Sequence, residues 1–341
     1  YGELYRRSEN LAKHIVASGT KRVIVYGHKE YSMLLAYVAC LRAGVPYIPV
    51  SPQQPVGRRK AIASQADAGL ILCAVGRGFA GAGSALSLNI MAASDQPPEE
   101  EVQLPTSYSD DQLAYITFTS GSTGNPKGVQ ATRGNLNNYI DWMDKTIPLK
   151  PEEEGTVLNL AMFSIDLSLT DIYYALTHGR TLVTTNSEIQ QHLTMLYPHL
   201  IKSNAAMMVL PPTLVHFMMQ SDSFGRKMMP HLRVVYLSGE SLHPGTVRHL
   251  LKCFDGDLTV INGYGPTEAT CNVCAAQITD EMCDDRLPVG IVKDACTTIR
   301  VMKGNEDVPV GEEGEIVLIG KSVTGGYTND DEGGFCTIDG Q

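Results

Sequence analysis

The stretch Thr119-Ser-Gly-Ser-Thr-Gly-Asn-Pro-Lys127-Gly128 gathers groups that suit a phosphate. Gly121, Gly124 and Gly128 let the backbone approach an anion closely. The hydroxyls of Thr119, Ser120, Ser122 and Thr123 can donate to phosphate oxygens, and Lys127 adds a positive charge. The stretch follows an apolar run, Leu113–Phe118, that reads as a strand. It is not a Walker A loop, because Pro126 stands where that motif needs glycine and Gly128 where it needs Ser or Thr. A mobile surface loop of small polar residues has the same composition, so the residues alone leave both readings open.

A loop of this kind needs a rigid frame, and the flanking sequence supplies one. A helix through Leu4, Leu11 and Ile15 precedes a strand at Val23–Tyr26. A second helix, from about Tyr31 to Leu41, ends near Gly44 and leads into a strand at Tyr47–Val50. A third, over roughly Gly57–Ala66, is followed by the strand Leu70–Cys73. Such alternation implies a largely parallel sheet with helices on its faces, an α/β class. The Pro-, Glu-, Asp- and Ser-rich stretch Ser94–Asp111 reads as an exposed linker, and a second helix–strand series then runs to about Asn262. From Pro288 the pattern changes to short β-like runs, Thr297–Met302 and Glu315–Ile319, which predict a β-rich ending.

Composition narrows the partners. A net charge of −10 with no basic stripe excludes nucleic acid on electrostatic grounds. No apolar run reaches the ~20 residues that span a bilayer. Eight scattered cysteines suggest a reducing, cytoplasmic compartment. Cys271, Cys274 and Cys283 form only an isolated CxxC with one neighbour, better read as buried thiols than as zinc ligands.

Residues Tyr115-Ile-Thr-Phe-Thr-Ser-Gly-Ser-Thr-Gly-Asn-Pro-Lys-Gly-Val129 resemble the phosphate-loop motif of the adenylate-forming superfamily. That superfamily comprises acyl-CoA synthetases, luciferases and the adenylation domains of nonribosomal peptide synthetases. Asn262-Gly-Tyr-Gly-Pro-Thr-Glu268-Ala-Thr270 is similar to a second family motif at the expected separation. Leu41–Pro52, and Gly314–Gly320 followed by Gly326-Tyr327, are weaker matches that extend the resemblance over the whole chain. It implies the N-terminal core of such an enzyme: sheet-and-helix subdomains over about 1–105 and 106–265, and a β-barrel-like subdomain over 266–341. The family's ribose-binding aspartate, hinge and small C-terminal domain with its catalytic lysine find no match. A fragment that adenylates poorly by itself is therefore expected.

The activity so implied is the joining of a carboxylate to the α-phosphorus of ATP with release of pyrophosphate, assisted by Mg²⁺. That chemistry rests on positioning and charge neutralisation. By resemblance, Glu268 holds Mg²⁺, Thr267 contacts the phosphates, and Lys127 completes the catalytic set. Tyr264 is expected to stack on adenine, with Asn262, Gly263 and Gly265 along the same wall and Gly239 and Glu240 opposite. Read alone, Glu268 would be a surface carboxylate and Tyr264 a packing residue.

The segment Phe163–Tyr173 looks like the region where amino-acid-activating members set an aspartate against the substrate ammonium, and Asp166 falls there. A buried carboxylate is costly unless paired, which favours a cationic amine; a helix cap is the competing reading. Relatives place Phe or His just before this residue as a gate, whereas this chain has Ile165. Carried over by position, the substrate pocket comprises Asp166, Leu167, Thr170, Val209, Tyr236, Ser238, Gly263, Cys271 and Asn272. The expected function is activation of an amino acid for transfer to a phosphopantetheine thiol on a peptidyl or acyl carrier protein, in the manner of a peptide-synthetase domain. Phe163–Ser168 and Ser238-Gly-Glu240 also look like the D-alanine–carrier protein ligases. An acyl- or aryl-CoA ligase and a non-catalytic nucleotide- or amino-acid-binding module are the remaining alternatives.

Overall fold

A computed structural model describes residues 1–74, 76, 79, 83–120, 125–292, 297–304, 306–329 and 334–337. Gly121, Ser122, Thr123 and Gly124 of the expected phosphate loop lie outside the described residues. Six strands form a first sheet: β1 (Val23–Tyr26), β2 (Tyr47–Val50), β3 (Leu70–Cys73), β4 (Leu86–Asn89), β5 (Leu113–Ser120) and β6 (Pro126–Thr132). Their order is β4-β3-β1-β2-β5-β6, all parallel except the β5–β6 pair. A second sheet contains β7 (Thr156–Asn159), β8 (Leu182–Thr184), β9 (Ala205–Leu210), β10 (Val234–Leu237), β11 (Thr259–Tyr264), β12 (Cys274–Ile278) and β13 (Ile291–Val292). Its order is β13-β12-β11-β10-β9-β7-β8, with β7 to β11 parallel and β12 and β13 antiparallel.

Strands of the Val-Ile-Val-Tyr and Leu-Ile-Leu-Cys type are apolar at every position because both faces are covered. Successive side chains alternate between faces, so Val23 and Val25 point towards the core between the sheets. Ile24 and Tyr26 face the other way, into a cluster with Ile62 and Ala66 of the helix Val56–Ala66. The inter-sheet core holds Leu11 and Ile15 of the first helix, Leu35 and Tyr37 of the second, and Tyr139, Trp142, Ile172 and Tyr174 of the helices Arg133–Thr146 and Ser168–Thr177. Beyond the second sheet, helices Leu193–Ser203, Pro212–Met218 and Pro244–Cys253 close a third cluster. The result is helix, sheet, helix, sheet, helix in alternating layers.

A buried lysine ties the sheets together. Lys29, in the turn after β1, donates to the carbonyls of Leu160 and Thr185, which follow β7 and β8, at 2.8 Å each. Burial draws its pKa down to about 7, against the attraction of the Asp171 carboxylate. Asp171 is itself fully buried; each of its oxygens accepts from the Asn159 amide, at 3.0 and 2.8 Å, and the Ile172 backbone amide adds a further hydrogen bond.

The stretch Ser94–Asp111 is mostly exposed, as expected, but it is anchored at several points. Ser94 is buried and receives Arg7, Asn10 donates to the Ser94 and Asp95 carbonyls, and the Tyr108 ring lies 3.9 Å below the Arg133 guanidinium. Its composition is that of a surface segment, but it runs between two strands of one sheet, and the first sheet continues across it to Thr132. At the end of the chain, β14 (Thr297–Lys303), β15 (Glu306–Asp307) and β16 (Glu315–Gly320) form an open antiparallel sheet, order β15-β14-β16, among the described residues.

Candidate active site

The functional residues collect at the carboxyl ends of β7, β9, β10 and β11, where open parallel sheets leave a crevice for ligands. Asn262, Gly263 and Tyr264 end β11, and Ser238, Gly239 and Glu240 follow β10 beside it. Gly239, Glu240, Asn262, Gly263 and Tyr264, with Gly265, His243, Arg286 and Leu287, line a cleft of about 780 Å³, while Ser238 is buried. Tyr264 presents its ring to that cleft and is 37% exposed, whereas the Asn262 amide is committed to the Pro288 carbonyl at 2.9 Å. The Glu240 carboxylate is also engaged, holding the amide of Thr213 (3.0 Å) and its hydroxyl at the start of the helix Pro212–Met218. Both bonds fall on Oε2, so Glu240 braces the start of that helix while its carboxylate still lines the cleft.

The tight turn after β11 depends on Gly265: a Cβ there would lie 2.4 Å from the Cys271 carbonyl oxygen. Thr270 and Cys271 both take left-handed backbone, φ 57° and 72°, which side-chain-bearing residues seldom adopt. This return brings Cys271 and Asn272 back under the helix Ser168–Thr177. A buried polar chain results. Ser238 donates to Asn272 Oδ1 at 2.6 Å, Asn272 Nδ2 reaches the Tyr139 hydroxyl at 3.3 Å and Cys271 Sγ at 3.0 Å, and Tyr139 meets Thr170 Oγ1 at 2.7 Å. Val209 and Tyr236 are register partners on adjacent strands and fully buried. The Tyr236 hydroxyl has no partner among the described residues and packs against Gly263, where an added Cβ would fall 2.4 Å from it.

Asp166 lies in the loop before that helix and is half-buried. Burial pushes its carboxyl above the usual carboxylate range; hydrogen bonds from the Thr267 side chain and the Leu167 amide oppose this, and the negative charge of Glu268 adds to it. No ion pair among the described residues gives it a cation. Ile165 beside it is 42% exposed.

At the phosphate end, β5 and β6 form a hairpin in which Thr119 pairs with Lys127 and Ser120 with Pro126. Glu268 sits in the turn Thr267–Ala269 and accepts the Tyr327 hydroxyl on Oε1 at 2.6 Å, and its other oxygen takes no hydrogen bond from the described residues. An acidic oxygen left open in this way is a hard donor, and Mg²⁺ commonly binds through one carboxylate plus phosphates and water. The residues present therefore fit that ion. The structure thus brings Asp166, Thr267 and Glu268 together, and packs Thr170, Val209, Tyr236, Ser238, Gly263, Cys271 and Asn272 below them.

Two residues at the site carried no functional assignment from the sequence. Tyr139 is the hub of the buried polar chain, yet in a helix it reads as ordinary packing. Tyr327 comes from the far end of the chain, and only its place in the Gly326-Tyr327 match pointed to it.

A family model described as AMP-binding enzyme matches residues 1–328. The chain belongs to that family, within the adenylate-forming superfamily. Among similar curated proteins are the D-alanine--D-alanyl carrier protein ligases of Bacillus licheniformis and Listeria innocua, each 34% identical, over 96% and 97% of this chain. The match takes in 66% and 67% of those relatives, so the chain spans about two thirds of their length. Among solved structures, the Klebsiella oxytoca NpsA N-terminal subdomain in complex with 3-hydroxybenzoyl-AMSN matches with a TM-score of 0.82 at 20% identity, over 99% of this chain and 86% of that one. PA1221, a nonribosomal peptide synthetase protein containing adenylation and PCP domains, matches with a TM-score of 0.79 at 23% identity, over 96% of this chain and 65% of that one. These two likenesses bear on the fold, an adenylation-domain N-terminal core. No described helix is long and apolar enough to cross a membrane.

Proposed function

We propose that this chain is the core of a ligase that activates D-alanine as its adenylate, using ATP and Mg²⁺, for transfer to the phosphopantetheine thiol of a carrier protein. The carrying observation is Asp166, a half-buried carboxylate near Glu268 that no ion pair among the described residues provides with a cation. Leaving such a group unpaired is unfavourable, and a substrate ammonium supplies the missing charge. An aryl or fatty acid brings no such group. The small-side-chain preference follows from the floor of the pocket. In this reading the buried Tyr236 and the Ser238–Asn272–Tyr139–Thr170 chain form that floor, and a small side chain would leave their packing and hydrogen bonds undisturbed. The relatives named as D-alanine--D-alanyl carrier protein ligases favour this reading over the peptide-synthetase type.

In this reading adenine and ribose occupy the cleft against Tyr264, and Thr119, Ser120 and Lys127 serve the phosphates. Mg²⁺ at Glu268 would neutralise charge building on the phosphates. Thr267, between Asp166 and Glu268, orients the substrate carboxylate for attack. Each of these groups binds or aligns, and none forms a covalent bond with substrate.

Acyl-sulfamoyl adenosines mimic the adenylate and bind tightly because they resemble the reactive intermediate. Calorimetric titration with the D-alanyl, L-alanyl, glycyl, valyl and benzoyl members of this series tests the reading. The D-alanyl compound is expected to bind best. Preference for the benzoyl compound would move the chain to acid–CoA ligase chemistry, and preference for the valyl compound would return it to the peptide-synthetase type.

A further inference from the structure

Tyr327 touches both charged groups at the phosphate end of the site. Its hydroxyl donates to Glu268 Oε1 at 2.6 Å, and the Lys127 ammonium lies 4.9 Å from its ring centroid. The residue is fixed from several sides. Its backbone bridges to Val129 of β6, its carbonyl accepts the Gln130 side chain at 2.9 Å, and the neighbouring Gly326 and Thr328 bond to Gln130 and Gly128. Phe335 packs edge-on against its ring at 5.0 Å. The same strap is stitched to the Glu268 turn, because the Thr324 amide donates to the Glu268 carbonyl at 2.8 Å and Thr270 donates to the Ser322 carbonyl at 2.7 Å.

Glu and Lys side chains are flexible, and each loses rotamer freedom when it must hold one geometry. A single carboxylate presenting one oxygen to a metal with strict octahedral demands needs its other oxygen held. A short O–H···O⁻ bond is a strong way to hold it. An ammonium over an aromatic face is likewise steered without being neutralised. One side chain does both, and it does so from a segment that joins β6 to the Glu268 turn. We propose that Tyr327 is a positioning residue of the adenylation site, registering the Glu268 carboxylate and the Lys127 ammonium against each other. This rests on the adenylation reading given above.

The test is calorimetric binding of ATP at a series of Mg²⁺ concentrations, with a metal-free arm in chelator. Tyr327→Phe keeps the ring and loses the hydroxyl. The Mg²⁺ needed for the half-maximal rise in ATP affinity should increase roughly tenfold, the scale of a lost outer contact to a metal ligand. Metal-free ATP affinity should stay as in the wild type. Tyr327→Leu loses the ring as well, and metal-free affinity should then fall by about threefold, since the ring's share in placing Lys127 is gone. In a Glu268→Gln background, Tyr327→Phe should add nothing to the metal dependence, because the two groups act as one unit. An unchanged Mg²⁺ requirement in Tyr327→Phe would overturn the proposal. So would an equal loss with and without metal that persists in the Glu268→Gln background, which marks a purely structural role. A wild type that binds ATP with no Mg²⁺ dependence would refute the adenylation reading itself, and the proposal with it.

Discussion

In the proposed function Asp166 carries an unfavourable charge in the fold and pairs with a substrate ammonium, and Asp166→Asn separates the two roles. Asn keeps the shape and the ability to accept from Thr267 and from the Leu167 amide, while the charge beside Glu268 disappears. An ionised group taken from water without a countercharge costs on the order of 1–2 kcal/mol after local hydrogen bonding is allowed for. For a chain of this size that corresponds to about 2 °C in Tm. The folded-state pKa is raised, so the wild-type group favours folding below the ordinary aspartate range. That contribution is lost as pH rises through the folded pKa. The gain of Asp166→Asn should therefore be complete at pH 8 and vanish on acidification. Affinity moves the other way. Losing a charge-assisted contact to the substrate ammonium costs about 3 kcal/mol, roughly 100-fold for the D-alanyl analogue. Thermal melts across pH 4–8, paired with calorimetry, read both quantities. A variant less stable than wild type at pH 8, or one that binds the analogue normally, would refute the reasoning.

Lys29→Met removes the tie between the sheets and the cation that attracts Asp171, leaving that buried carboxylate with neutral donors alone, which should lower the unfolding free energy by about 3 kcal/mol in urea titrations. Because the Lys29 pKa is drawn down to about 7, the wild type should gain stability as pH rises above that value, and the variant should not. Gly263→Ala sets a methyl 2.4 Å from the Tyr236 hydroxyl and should cost about 1–3 kcal/mol by overpacking; adding Tyr236→Phe should recover part of it, read by the same titrations.

Legibility followed locality. Val23–Tyr26, Tyr47–Val50 and Leu70–Cys73 could be placed to the residue because each is a short apolar run bounded by turn residues and covered on both faces. The strand Leu86–Asn89 escaped notice because it is a short edge strand whose Leu-Ser-Leu-Asn alternation covers only four mostly exposed residues. Ser94–Asp111 was legible as an exposed segment but not as an anchored one: Tyr108 and Ser94 hold it down through contacts with residues distant in sequence. At the site, the turn around Glu268 and the loop carrying Asp166 were legible as motifs, while their meeting was not, since some hundred residues separate them. The resemblance placed Glu240 on the nucleotide wall, and only the fold shows that it also holds Thr213. Tyr139 acts through tertiary neighbours, and no local pattern distinguishes it from a packing tyrosine; Tyr327 was marked by the Gly326-Tyr327 match, but its bond to Glu268 was not legible there.

The central claim is that the site reads the amine of its acid. The most direct measurement compares the D-alanyl-sulfamoyl adenosine with its propionyl counterpart, identical except for the amine, on the wild-type chain. The account predicts binding of the amine-bearing compound about 100-fold tighter, with the gap closing in Asp166→Asn. Equal affinity for the two compounds in the wild type would contradict it.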